Sequence, residues 1–230
     1  MLLIDRLARA AAALSVAAVV AGCSSGGDDP APDRTLLDVN EMRGALLQAA
    51  EIGPTWQAPD TPGDPNRLVS ICGGASTAPP VPPGATVVAA PFVDEGNAGA
   101  QTLEQTALVY PDSSGAQAGL TAIRAVADKC PRTVSVPAAV TADRSEPAYT
   151  ETVEVQPLSQ RAWSGFVVIR HKQYEKGHPG TADTAVAVLG NRNVALVDAY
   201  AIYRLGAPSA GSQFSADWQK LVGTVVNRVG

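Results

Sequence analysis

Residues 183–204 read DTAVAVLGNRNVALVDAYAIYR, and both Ala185–Leu189 and Val194–Val197 are apolar at every position. Strict alternation would leave one face polar, whereas an unbroken apolar run of strand length needs cover on both faces. Between the runs, Gly190-Asn191-Arg192-Asn193 supplies the small and polar residues of a hairpin turn. A chain carrying this hairpin has to place it inside a sheet and lay further structure over each side.

Suitable helices are legible. In residues 113–130, SSGAQAGLTAIRAVADKC, the side chains Ala116, Leu120, Ile123, Ala127 and Cys130 share one helical face, with Gln117, Thr121, Arg124 and Asp128 opposite. Pro131 ends that helix. Phe214, Trp218, Leu221, Val225 and Val229 mark one side of a C-terminal helix whose other side carries Asp217, Lys220, Thr224 and Arg228. Near the start, Asp38-Val39-Asn40-Glu41 has the form of a capping box, so a helix is expected through EMRGALLQAAE until Gly53-Pro54 stops it. Residues 57–85 are rich enough in Pro and Gly to be a long loop.

Period-two patterns at TVVAAPFV (86–93) and TLEQTALVY (102–110) read as strands, as do RTVSV, TETVEVQ and AWSGFVVIRHKQY further on. The order is helix, two strands, helix, about five strands, helix. It predicts one α+β domain over residues 35–230, a mostly antiparallel sheet of six or seven strands packed by N-terminal, middle and C-terminal helices.

The first 34 residues belong to a different kind of structure. Arg6 and Arg9 precede an apolar run of 13 residues, Ala10 to Gly22, which is too short to span a bilayer. These are the parts of a signal peptide, residues 1–22. The next residue is Cys23, and Val20-Ala21-Gly22-Cys23 resembles the lipobox of bacterial lipoproteins. The resemblance implies a diacylglyceryl group on the Cys23 thiol, palmitate among its acyl chains, and cleavage that leaves Cys23 as the N-terminus. The competing reading is an ordinary secreted protein with an incidental cysteine. Residues 23–34 then form a polar tether, because SSGGDDPAPDR has nothing to bury. The expected location is the outer, extracytoplasmic face of the cell membrane.

Removing residues 1–22 takes Arg6, Arg9 and Asp5 from 17 basic and 22 acidic residues, which leaves a net charge of −6. No Lys/Arg cluster remains, which argues against nucleic acid as a partner. With Cys23 assigned to lipid, Cys72 and Cys130 are an even pair in an oxidising compartment, so a disulfide is expected. It would stabilise the fold by about 4 kcal/mol in the chain-entropy model. Two free buried thiols are the alternative.

Signatures of catalysis are sparse. No G-x-S-x-G, H-E-x-x-H, G-x-G-x-x-G or P-loop pattern occurs. His171 and His178 share HKQYEKGH with Glu175 between them, a segment that reads as a polar hairpin tip and not as a zinc site. Asp198 interrupts an apolar strand; it is expected to pair with a neighbour such as Arg170 or Arg204 in preference to acting as an acid or base. Trp56 and Trp163 are expected in the core, with a ligand pocket as the alternative. No cofactor, metal or catalytic residue is expected.

LLQAAEIGPTW, Cys72 after the loop, ALVYPDSSGAQAGLTAIRAVADKC, NVALVDAYAIY and FSADWQKLVGTVVNRV together resemble the PknH-like extracellular sensor domain of mycobacterial lipoproteins and receptor kinases. The resemblance spans most of residues 35–230. It implies an α+β domain with a cleft for an unidentified ligand. The kinase sensors carry two disulfides where this chain has cysteines for one, and no kinase domain is expected in it. The leading expectation is a binding or sensor module of the cell envelope, with 57–85 as one lip of its cleft. A structural or protein-interaction lipoprotein comes second and an envelope hydrolase last.

Cys23→Ser is expected to release the protein from the membrane fraction or to block its processing. Metabolic labelling with a palmitate analogue checks it, and a variant that still labels and still sediments with membranes contradicts it.

Overall fold

In a computed structural model of the chain, the described residues are 35–230 except 62, 75, 97–98, 141–144 and 206–210. Cys23 and the segment before it lie outside them. The helices are α1 (Val39–Ala45), α2 (Ala49–Ile52), α3 (Ser113–Ala127) and α4 (Gly211–Val229). The main strands are β1 (Thr86–Gly96), β2 (Gly99–Val109), β3 (Thr133–Val136), β6 (Tyr149–Gln160), β7 (Trp163–Tyr174), β8 (Gly180–Asn191) and β9 (Val194–Leu205). A small ribbon, β4 (Ala139–Val140) with β5 (Ser145–Glu146), stands apart. The seven-stranded sheet runs in the order β1-β2-β9-β8-β7-β6-β3, and every pairing is antiparallel. The expected α+β architecture is what the chain adopts.

The doubly apolar hairpin lies at the middle of this sheet. Ala185, Ala187 and Leu189 of β8, with Leu196 and Tyr200 of β9, enter a core closed by α1 and α4. Val186 and Val188, with Ala195 and Val197, enter a second core closed by α3 and by Leu68 and Ile71 of the long loop. Alternate residues of one strand thus feed different cores. On α4 the buried stripe is Phe214, Trp218, Val222, Val225 and Val226, while Leu221 and Val229 are only partly buried at its margin.

The N-terminal helix breaks where the sequence suggests one continuous element. Asp38 forms the expected capping box with Glu41, but α1 ends at Ala45 and α2 begins at Ala49. The cause is tertiary. Leu46 and Leu47 are both buried, and the side-chain amide of Gln105 takes over the Leu47 backbone. Leu47 N–H donates to Gln105 Oε1 at 3.1 Å, and the Leu47 carbonyl accepts from Gln105 Nε2 at 3.3 Å. These bonds replace helical ones and let two consecutive leucines enter the core.

Two asparagine and cysteine contacts fasten the irregular parts. Asn193, in the β8–β9 turn, accepts the Leu37 N–H at 2.8 Å and donates to the carbonyls of Leu37 and Tyr110 at 3.0 and 2.7 Å. It stitches the start of the described chain to the end of β2. On the other face, Cys72 and Cys130 form the expected disulfide, with Cα atoms 5.1 Å apart.

Immediately after Cys72 the loop crosses a buried charge pair. Arg170 Nε stands 3.8 Å from Glu151 Oε1, and the Glu151 carboxylate also accepts the Gly74 N–H. Burial lowers the Arg170 pKa and the neighbouring Glu151 charge raises it, with burial the larger effect. Gly73 has a φ of +68°, and a Cβ there would lie 2.5 Å from Arg170 Nη1 and from both Glu151 oxygens. Only glycine lets the backbone lie this close to the pair.

Gly73→Ala should therefore destabilise the fold by about 1–3 kcal/mol, through both the φ and the lost approach. Gly63→Ala, where an added Cβ meets nothing within 4 Å, should stay within about 0.5 kcal/mol of the parent. Urea unfolding midpoints at unchanged slope decide between them.

Candidate functional site

Of several grooves on the described surface, two lie beside the helices that cover the sheet. The first lies between α2 and α4 and has a volume of ≈ 550 Å³. Its floor is Leu47, Tyr200 and Gln101, one wall is Trp56 with Ile52, and the other is the Asp217–Arg228 side of α4. Tyr200 is fixed from two directions: its ring stacks on Phe214 with centroids 5.9 Å apart, and its hydroxyl donates to Gln101 Oε1 at 2.6 Å. Burial, reinforced by the Asp217 charge, pushes the Tyr200 pKa well up, so it remains a neutral donor.

At one end of this groove Arg228 Nη2 meets Glu51 Oε1 at 2.6 Å, and Arg228 Nη1 donates to the Ala45 carbonyl at 3.1 Å. The Arg228 hydrogen bond holds Glu51 below the ordinary carboxylate range. α2 and α4 are thereby clamped. The result is an aromatic and aliphatic trough with hydrogen-bonding groups on its floor and opposite charges at its rim. Such a surface can hold an amphipathic small molecule. Trp56 borders it, partly buried against the first core, while Trp163 is fully buried within that core.

The second groove, ≈ 690 Å³, runs between the end of α3 and β6. Cys130, Arg132, Thr152, Glu154 and His171 line it, and the disulfide borders it. His171 Nδ1 lies 2.8 Å from Asp183 Oδ1, an orientation that turns the other ring nitrogen away from the carboxylate. His178 is elsewhere, beside Glu175 at 3.7 Å in the β7–β8 connection. The sequence segment holding both histidines therefore spans a strand and a turn. Among the described residues no three His, Cys, Asp or Glu side chains gather as metal ligands do.

The loop 57–85 was expected to edge a cleft. Leu68 and Ile71 instead seal it onto α3, so only Trp56 ahead of it and the Cys72–Cys130 bridge reach the grooves. Asp198 also departs from expectation. It sits on the α4 side of the sheet opposite Gln105 and Ala187, whereas Arg170 faces the α3 side and pairs with Glu151. Arg204 is six residues along the same strand, beyond reach. Asp198 is 1 % exposed, and neither carboxylate oxygen has a hydrogen-bond partner among the described residues. Burial alone raises its pKa from 3.8 to about 7. No sequence signal separates this from a paired carboxylate, because the face a strand residue takes depends on the register of its neighbours.

No family model matches the sequence, and no curated protein matches it. Solved structures do show the fold. It is an α+β fold. One match is to the crystal structure of the extracellular domain of PknH from Mycobacterium tuberculosis, at 18% identity and a TM-score of 0.50, over 84% of this chain and 98% of that one. Among the described residues no helix is long and apolar enough to cross a membrane.

The buried Asp198 makes stability pH-dependent in a defined direction. The native state keeps the proton up to about pH 7, and the unfolded chain releases it near 3.8. Below 3.8 this group takes nothing from stability. Between the two values stability falls as pH rises, and above about pH 7 the loss is complete, on the order of 4 kcal/mol. Asp198→Asn should abolish the slope, so the variant gains on the parent between pH 4 and 7 and holds a constant lead above. Paired denaturation curves across that range test it, and parallel profiles for the two proteins contradict it.

Proposed function

We propose that residues 35–230 form a binding domain of the cell envelope, held at the outer face of the membrane by a lipid on Cys23, and that it binds without catalysing. The observation that carries this reading is the α2–α4 groove, in which Trp56, Tyr200, Gln101 and the Glu51–Arg228 clamp surround one trough. The likeness in fold to an extracellular domain supports the extracytoplasmic setting. The lipobox and tether support the anchor. The ligand suited to the groove is a small amphipathic molecule: a flat or aliphatic part against Trp56 and Ile52, and polar groups toward Gln101 and the α4 rim. Lipid fragments and cell-wall fragments both have that character. The groove brings together no nucleophile with a base, which separates this reading from an envelope hydrolase.

A thermal-shift screen of lipid and cell-wall fragments should find a compound that stabilises the protein by about 2.7 kcal/mol at a hundredfold excess over Kd. For a domain of this size that raises the melting temperature by roughly 5–10 °C. The same compound should alter Trp56 emission, and Trp56→Ala should lose the shift measured from its own baseline. A screen that leaves the melting temperature unmoved, with turnover of an ester or glycan substrate, would transfer the reading to an enzyme.

A further inference from the structure

We propose that the outer edge of β6 beside Cys130 accepts a short extended peptide as an added strand. β6 has 12 residues, but β3 pairs only with Tyr149–Thr152. One bond continues the ladder: Val153 N–H donates to the Arg132 carbonyl at 2.9 Å. Beyond it, among the described residues, the edge has no partner strand. Antiparallel strands alternate the direction of their backbone groups. Because Val153 points outward, Val155 does too, and the β6–β7 register runs unbroken through it. Among the described residues nothing meets the outward N–H and carbonyl of Val155, and the ≈ 690 Å³ groove opens at this point.

The opposite edge of the sheet shows what fits such a position. There Pro91 stands at an outward position of β1, and two residues on, Val93 exchanges a reciprocal pair of backbone bonds with Gln57, at 2.8 and 2.9 Å. On β6 the outward proline is Pro157, and Val155 stands two residues before it with the same pair of groups and no occupant. Proline offers no N–H, so it halts any longer ladder. The site is therefore limited to a few residues, which favours a short peptide over another sheet. Arg132 and Glu154 line the groove, both exposed and without ion pairs among the described residues. One cation and one anion suit a peptide that carries both signs. Main-chain bonds would supply affinity and the rim charges register, as in other strand additions.

The test uses the full chain in detergent micelles and the blocked pentapeptide acetyl-Lys-Val-Thr-Val-Glu-amide, with a counterpart N-methylated at its central residue. Binding should slow hydrogen exchange at the Val155 amide, and the N-methylated peptide should bind roughly tenfold more weakly, as expected for one lost hydrogen bond with steric exclusion. Val155→Pro trims a side chain packed against the second core, so it should lower the melting temperature modestly while the fold persists, as Pro157 is already tolerated, and it should lose peptide binding. If that variant unfolds, the comparison of the two peptides still decides. Equal binding of both peptides, an unchanged Val155 exchange rate, or no binding at millimolar peptide would overturn the proposal. Self-association that blocks Val155 and that peptide does not compete away would also overturn it, by giving the edge to a second copy of the chain.

Discussion

Apolar side chains on both faces of β8 and β9 oblige the molecule to bury the middle of its sheet twice. One face is covered by regular structure, since α1 and α4 bring amphipathic stripes onto it. The other receives one long helix, α3, and the remainder is closed by a loop whose own pairing among the described residues is a bridge between Arg67 and Pro80. Burying irregular backbone leaves polar groups to satisfy and entropy to overcome. The Cys72–Cys130 bridge and the Glu151 carboxylate on Gly74 meet those two demands at adjacent residues. The disulfide therefore belongs to the covering of the second core, and the buried Arg170–Glu151 pair is the surface on which that cover rests.

Much of this was legible because it is written in periodicity. The two-faced hairpin, the stripes on α3 and α4, the capping box at Asp38 and the cysteine pair each follow from local pattern or parity. What was not legible depends on long-range register. Gln105 reads as one polar residue of an alternating strand, yet its amide breaks a helix 58 residues away. Asn193 reads as a turn former and in fact joins three segments. The sequence segment around His171 looks like one polar tip, whereas the strand continues through Tyr174 and separates the histidines. The α2–α4 groove is the least visible, because its members come from four separate stretches and only Trp56 among them reads as a pocket candidate.

Both grooves lie where the cover of the sheet stops short. The α2–α4 trough lies where the N-terminal helix is broken after Ala45 and the short α2 is clamped by Arg228. The β6 groove exists because β3 is only four residues long beside a strand of 12. Of the buried polar side chains, Gln105, Asn193 and Glu151 hold backbone in place and Asp183 meets His171. Asp198 is a buried carboxylate with neither oxygen partnered among the described residues, and burial favours its neutral form.

The stitch made by Asn193 has a mechanical side. The described chain begins at Thr35, and Leu37 is bonded to the turn between the two central strands, with the end of β2 held by the same amide. A pull applied at that end is passed first to the β8–β9 turn, and not to α1 alone. The central strands are long, paired on both sides and buried on both faces, so they yield last under load. Load entering at Leu37 would thus reach the middle of the sheet before it could distort the helices or the trough they frame.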